Sequence, residues 1–517
     1  NRADVSAAGN YAGGIAGANS GTIQTAEDTS QNARTVSGIQ GEGIGGITGW
    51  NQRDGRIEVA AASVENGGIG GNSGTGGSQD EVIAVSSAVS IDGKQKVGGI
   101  AGINEGTLLA SGSAYLTSQA GSLRAREGYA GGIAGESGKA AGQAEDGAEG
   151  AGGDTSAGAA DGSGSGFAGA GFGSIEKARN KCVQVTADKG PAGGIVAVNQ
   201  RGVTLKQCGN LGNVNSDQGY AGGIAAENYG EIQDCTVGYD TESNSTDQIK
   251  NILIHSRGTD EIGAVCAVNK KEAVISGSIP LYHVELSGSA EVIGGIAGAN
   301  QGTIKETVQE IKSASDKKDE KSALDITVSS NALTVGGAAG RNEDGAVIQD
   351  VNIIGLKFID FKNFQYLGGI TGLNEGGGTV ENCTFSGGKI RDAGSAAGSC
   401  YGGVAGLNRG MLSQCSAEDI HMDIQGIYTA TSTSTAIEKE NGASHAGGIV
   451  GKNEEDSTVT GCRIKVSGKG KTNFITAGSG MAGGIVGYNK GMVEKSGDSD
   501  TAEAIEGDQT IQAMAGH

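Results

Sequence analysis

The chain has 517 residues, of which 98 are Gly and only 2 are Pro, and 4% are aromatic. So much Gly without a three-residue period excludes collagen, and so few aromatics exclude a conventional globular core. A formal charge of −21 disfavours nucleic acid and anionic membrane as partners, and no apolar run reaches the length of about 18 residues that a membrane span needs.

The first predicted element, residues 13–23, reads GGIAGANSGTI, and it returns along the whole chain. Around Asn51 it is GGITGWNQRDGRI, around Asn104 GGIAGINEGTL, around Asn300 GGIAGANQGTI, around Asn374 GGITGLNEGGGTV, around Asn408 GGVAGLNRGML and around Asn489 GGIVGYNKGMV. Further copies centre on Asn199, Asn228, Asn269, Asn342 and Asn453. Two degenerate copies place Glu136 and Gly171 where the Asn stands, which makes 14 copies. A repeat of this length is one structural unit of a stacked array. Most anchors lie 28 to 36 residues apart, and the longer intervals are a unit plus an insertion. The interval before Asn104 contains GGIGGNSGT, residues 67–75, which matches a shortened copy. Residues 138–166 are Gly/Ala/Ser-rich and predict a loop insertion that divides rungs over 1–137 from rungs over 167–517 of the same rod. The charged run at 313–321 and the polar run at 429–440 predict further exposed loops.

Within a unit the hydrophobic period is two, placing Ile15 and Gly17 on one face and Ala16 and Ala18 on the other. Asn followed by Gly, as in Asn228-Tyr229-Gly230, marks a bend. An apolar residue, two polar residues and a small one follow, as in Ile232-Gln233-Asp234-Cys235, and alternation then resumes. A third short strand precedes the next Gly pair, as at 252–254 or 323–328. The expected fold is all-β: a parallel β-helix, or β-solenoid, of about 14 rungs, each with three short strands. Rungs about 4.8 Å apart give a rod about 65 Å long. Equivalent residues then stack in columns. The Ile of each Gly-Gly-Ile forms an apolar column, and Asn19, Asn51, Asn104, Asn199, Asn228, Asn269, Asn300, Asn342, Asn374, Asn408, Asn453 and Asn489 form an amide ladder. Cys208, Cys235, Cys383, Cys415 and Cys462 occupy a column of small residues and are expected to be free buried thiols. Cys182, Cys266 and Cys400 lie elsewhere in their units, and no CxxC suggests zinc or redox chemistry.

The unit resembles the GLUG motif, a repeat of large secreted and surface proteins of bacteria, with a pattern close to G-G-[LI]-[VA]-G-x-N-x-G-x-I-x-x-C. Residues 220–235, YAGGIAAENYGEIQDC, and 401–415, YGGVAGLNRGMLSQC, match it nearly throughout. Departures are Glu136 and Gly171 for Asn, and Ala264 within IGAVCAVN. The resemblance implies an extracellular or cell-surface, adhesin-like bacterial protein. Some relatives of this kind are large zinc peptidases that cleave immunoglobulin A, with the repeats outside the catalytic domain.

Catalytic signatures are missing from the sequence. None of His255, His283, His421, His445 and His517 begins an HExxH, and no GxSxG occurs. Glycan-processing β-helices need paired carboxylates, and nothing pairs Asp350, Asp360, Asp392 or Asp423. Trp50, Tyr229 and Tyr488 flank the Asn and are candidates for glycan contact or for edge packing, while Phe358, Phe361, Phe364 and Tyr366 cover a core edge or form a contact patch. Asn244 and Asn382 match a glycan-acceptor pattern. The expectation is a non-enzymatic stalk that displays loops, with no catalytic, cofactor-binding or metal residues. Its partner would be a surface protein or glycan of a host or neighbouring cell. The alternatives are a non-catalytic scaffold of a large secreted metallopeptidase and a β-helical enzyme acting on glycans. The chain opens almost inside a repeat without an initiator Met, so a segment of a longer or processed polypeptide is expected. No caps are visible at its ends, so the expectation is either that more rungs or caps flank the segment in the full polypeptide or that its open strand edges stack end to end on neighbours and build a fibre.

Overall fold

The computed structural model describes residues 3–25, 35–38, 40–59, 81–111, 114–139, 173–238, 252–258, 261–282, 284–310, 324–328, 334–361, 364–392, 398–424, 444–468, 471–477, 480–494 and 509–513. Every strand pairing among them is parallel, and each strand pairs with its equivalent one repeat away, as Val5 with Val36 and Asn374 with Asn408. The chain is therefore a right-through stack of rungs, a parallel β-solenoid, and no helix occurs among the described residues.

The Gly pair explains the shape of a rung. What reads as one motif strand is divided by the second Gly and the Ile that follows it, so Tyr366–Gly368 and Thr371–Asn374 are separate strands joined by a bend. A Cβ on Gly368 would overlap the carbonyl oxygen of Thr371, so the bend closes only with Gly there. These two strand sites generate two 13-stranded sheets that run the length of the described rod. The post-Asn strand, as in Thr379–Glu381, forms a third ladder, which forks at Thr303–Glu310: that strand pairs with Val347–Gln349 and with Asn352–Ile354. The strand preceding the Gly pair builds a nine-stranded sheet from Val5–Ala7 to Leu324–Val328 and a five-stranded one from Lys357–Phe361 to Gln509–Ala513.

Two adjustments to the sequence expectation follow from register. The Asn column has thirteen positions, because Ser137 and not Glu136 pairs with Asn104, and Ser137 then pairs directly with Asn199. No rung intervenes at Gly171, which lies outside the described residues together with 140–172. Likewise Asn51 pairs directly with Asn104, so the copy read at 67–75, also outside the described residues, is not a rung between them. The rung that leaves at Gly138 resumes at Gly173, where the two backbones touch. The loops expected at 313–321 and 429–440 and most of that at 138–166 also lie outside the described residues, as does Asn244.

The core is thin and columnar, as the composition requires. Ile47, Ile100, Ile133, Ile195, Ile224, Ile296, Ile370 and Ile449 form the expected apolar column, all at most 1% exposed. Burying each contributes about 1.5–3 kcal/mol. Strict alternation fails at the bend, however. Both Ile100 and Ala101 belong to the core, because the chain turns between them. Ile15 is 50% exposed, since no described rung lies beneath it.

Candidate functional site

The twelve predicted Asn residues share one column, and their side chains form a ladder of one polarity. Each Nδ2 donates to the Oδ1 of the next rung: Asn19 to Asn51 at 2.8 Å, Asn51 to Asn104 at 2.8 Å, Asn199 to Asn228 at 2.7 Å and Asn228 to Asn269 at 2.9 Å. The series continues through Asn300, Asn342, Asn374, Asn408 and Asn453 to Asn489 at 2.8–2.9 Å. The second amide hydrogen closes the bend of its own rung, as Asn374 Nδ2 to Gly378 O at 3.0 Å. The ladder breaks once. Asn104 Nδ2 donates to Ser137 Oγ at 3.0 Å, and the Ser137 hydroxyl donates to Gly173 O. Nothing then reaches Asn199 Oδ1, which is buried without a partner.

All eight cysteines are free and buried. The thiols of Cys208 and Cys235 touch across adjacent rungs, and those of Cys383, Cys415 and Cys462 form a row. Burial pushes the Cys182 thiol up to about 11 and that of Cys400 to about 12. Thiolates are disfavoured there, so neither nucleophilic nor metal-binding chemistry is favoured. No group of three or more His, Cys, Asp or Glu able to hold a metal ion occurs among the described residues.

Of the carboxylates weighed as catalytic, the three whose side chains are described each have a partner of their own. Asp350 accepts from Asn382 Nδ2, buried Asp392 accepts from Tyr401 OH, and Asp423 accepts from Thr476 Oγ1 at 3.2 Å. The side chain of Asp360 lies outside the described residues. Of the aromatic run, Phe358 and Phe364 are core and Tyr366 is half-buried on the outside; Phe361 is not described at side-chain level.

A different assembly emerges at the outer side of the Gly-pair bend. Three columns converge there: the first residue of the Gly-pair strand, the residue before the Asn and the residue after it. Trp50, Tyr229 and Tyr488 stand in the last two, as the sequence indicated. The first column, unnoticed in the sequence, adds Tyr11, Tyr129, Tyr220 and Tyr366. Six of the 11 tyrosines and the single tryptophan thus lie on one stripe of the rod. Tyr11 packs on Trp50 with ring centroids 5.1 Å apart, and His445 stacks on Tyr488 at 5.2 Å. Ion pairs fill the spaces between rings: Lys96 with Glu136, Lys270 with Glu227 at 3.6 Å, Arg341 with Glu261 and Glu343 at 3.1 Å, and Arg409 with Glu375 at 3.2 Å. Glu105, Glu454, Lys452 and Lys490 complete the charges of the three columns, seven carboxylates against six bases. The face is nearly neutral within a chain of −21.

Fold and columns together define a parallel β-solenoid with an internal amide ladder and one aromatic, charge-balanced outer stripe. The GLUG motif family matches residues 365–391, one full turn of the rod from the Gly-pair strand to the return strand. The chain is a GLUG-repeat protein. No curated protein and no solved structure matches it.

Proposed function

We propose that the chain is a non-enzymatic, elongated segment of a bacterial cell-surface or secreted protein, acting as a stalk and as a contact surface for a host or neighbouring cell. The observation that carries this reading is the unbroken parallel register over thirteen rungs, from Ala16–Asn19 to Val486–Asn489. Such a stack resists bending because each rung is hydrogen-bonded to its neighbours through backbone ladders and through the Asn column. The free energy of the fold therefore goes into length and surface. Supporting it, Asp350, Asp392 and Asp423 are each engaged by a different partner, and burial disfavours the thiolates of Cys182 and Cys400. Latex beads coated with the chain should be retained on bacterial or epithelial cell surfaces, while the coated beads release no product from polysaccharides or proteins. Release of reducing ends, unsaturated sugars or peptides, abolished by one carboxylate substitution, would overturn the proposal.

A further inference from the structure

The described residues hold one apolar cluster apart from the main core, and it lies on the outer stripe: Ala267, Val268 and Ala299, with Tyr220 packed against them. Tyr229 stands beside it, its hydroxyl donating to Glu227 Oε2 at 3.2 Å. Lys270 Nζ sits 5.6 Å from the Tyr220 ring centroid and 5.7 Å from that of Tyr229, close to Glu227 Oε1 as well. The three aliphatic side chains are at most 2% exposed, so the patch presents two half-buried rings with a carboxylate and an ammonium fixed between them.

This combination narrows the ligand. A purely apolar partner would strand Glu227 and Lys270 without their water. An anionic partner would compete with Glu227 for Lys270, and a cationic one the reverse, and the nearly balanced stripe offers neither a net attraction. A pyranose satisfies all parts at once. Its C–H face is apolar and packs on an aromatic ring. Its hydroxyls donate to the carboxylate and accept from the ammonium. A chain of sugars can also extend along the rod, where further rings, Tyr11 with Trp50 and His445 with Tyr488, recur on the same stripe.

We propose that the Tyr220–Tyr229–Lys270 patch binds a neutral, hexose-based polysaccharide, with Tyr220 and Tyr229 as stacking platforms and Glu227 and Lys270 as hydroxyl partners. This rests on the contact-surface reading above and supplies its ligand class. The pre-paired geometry needs no new ordering of side chains on binding, which favours affinity.

Affinity electrophoresis of the full chain through gels containing soluble mannan, galactomannan, mixed-linkage glucan or polygalacturonate tests it. The account expects retardation by at least one neutral polysaccharide and none by polygalacturonate. Tyr220→Ala and Tyr229→Ala should each weaken that retardation on the order of tenfold. Tyr229→Phe, which keeps the ring, should lose much less. Arg124→Ala, on another face, should bind as the parent does. Circular dichroism and the thermal midpoint show that each variant remains folded. Migration unchanged in every neutral gel, retardation by polygalacturonate alone, or retardation that survives both alanine variants would overturn the inference. If coated beads still adhere to cells while Tyr220→Ala and Tyr229→Ala leave that adhesion intact, the contact-surface reading stands and the glycan assignment fails. If adhesion to cells is absent as well, both fail. Retention of the parent chain by an immobilised surface protein, with no neutral glycan competing, assigns the stripe to a protein partner instead.

Discussion

An interior Asn of the ladder is engaged at each of its amide positions. Asn374, fully buried, accepts from Asn342 at 2.9 Å, donates to Asn408 at 2.8 Å and donates to Gly378 O at 3.0 Å. Asn374→Ala leaves a buried donor on Asn342 and a buried acceptor on Asn408. It is expected to cost about 2–4 kcal/mol, read as lost amide protection in the adjoining rungs under hydrogen exchange. The converse case is Ser137, whose single hydrogen goes to Gly173 O and leaves Asn199 Oδ1 unserved. Ser137→Asn would supply one hydrogen to each, so urea denaturation should show a gain of about 1 kcal/mol; a loss would mean that the neighbouring backbone cannot admit the larger side chain. The thiols give a pH dependence with a definite sign. A folded-state thiol held above its ordinary value keeps its proton while the unfolded chain loses it. The unfolded state then binds fewer protons, and stability falls with rising pH. For Cys182 that window runs from 9.0 to about 11, and for Cys400 from 9.0 to about 12. Urea midpoints measured from pH 8 to 10.5 should decline, and Cys182→Ala should flatten part of the decline. Native thiols should resist an aromatic disulfide reagent at pH 8 until the chain is unfolded.

At the element scale, the post-Asn strand is kinked one residue before the small column. Lys177, Gln207, Asp234, Glu306, Asp350, Asn382 and Gln414 all take positive φ there, between 49° and 55°. Non-glycine residues pay for that conformation with about 1–2 kcal/mol, and a β-branched side chain fits it worst. Gln414→Val should therefore lower stability by about that amount, whereas Ser413→Val, one residue earlier and in extended strand, should be neutral or favourable. Equal effects of the two would remove the kink from the account. The sequence carried this element as two polar residues before Cys235 or Cys415, which located the corner without its handedness. The amide ladder was fully legible, because an Asn at a fixed place in each unit has few other physical uses in a buried column. Glu136 and Gly171 were misread for different reasons. Six residues after the first Gly of the pair, where Asn19 stands after Gly13, the copy at Gly131 has Ser137, so Glu136 was one position out of register. The string at Gly171 lies in a stretch so rich in Gly and Ala that chance matches to the motif arise, and Ser137 pairs directly with Asn199. The outer stripe was half legible. Trp50, Tyr229 and Tyr488 flank the Asn, but Tyr129, Tyr220 and Tyr366 join them only because the Gly pair folds two strands toward each other, a contact that no local pattern announces.

For the whole molecule, thirteen rungs in register set a length. The column through Thr22, Arg56 and Thr107 ends at Met411, Thr458 and Met492, so Thr22 and Met492 are twelve rung steps apart on one face. At about 4.8 Å per step the separation is about 58 Å. Both positions are exposed, Met492 at 53%, while all eight native thiols are buried. Spin labels on Thr22→Cys and Met492→Cys would therefore report the rod alone. The most direct test of the central claim, that the chain is one uninterrupted stack, is the dipolar distance between those two labels. A single narrow distribution near about 58 Å, allowing for the label arms, is the predicted result. A broad distribution, or one centred below about 40 Å, would contradict a continuous solenoid and with it the stalk that the proposed function requires.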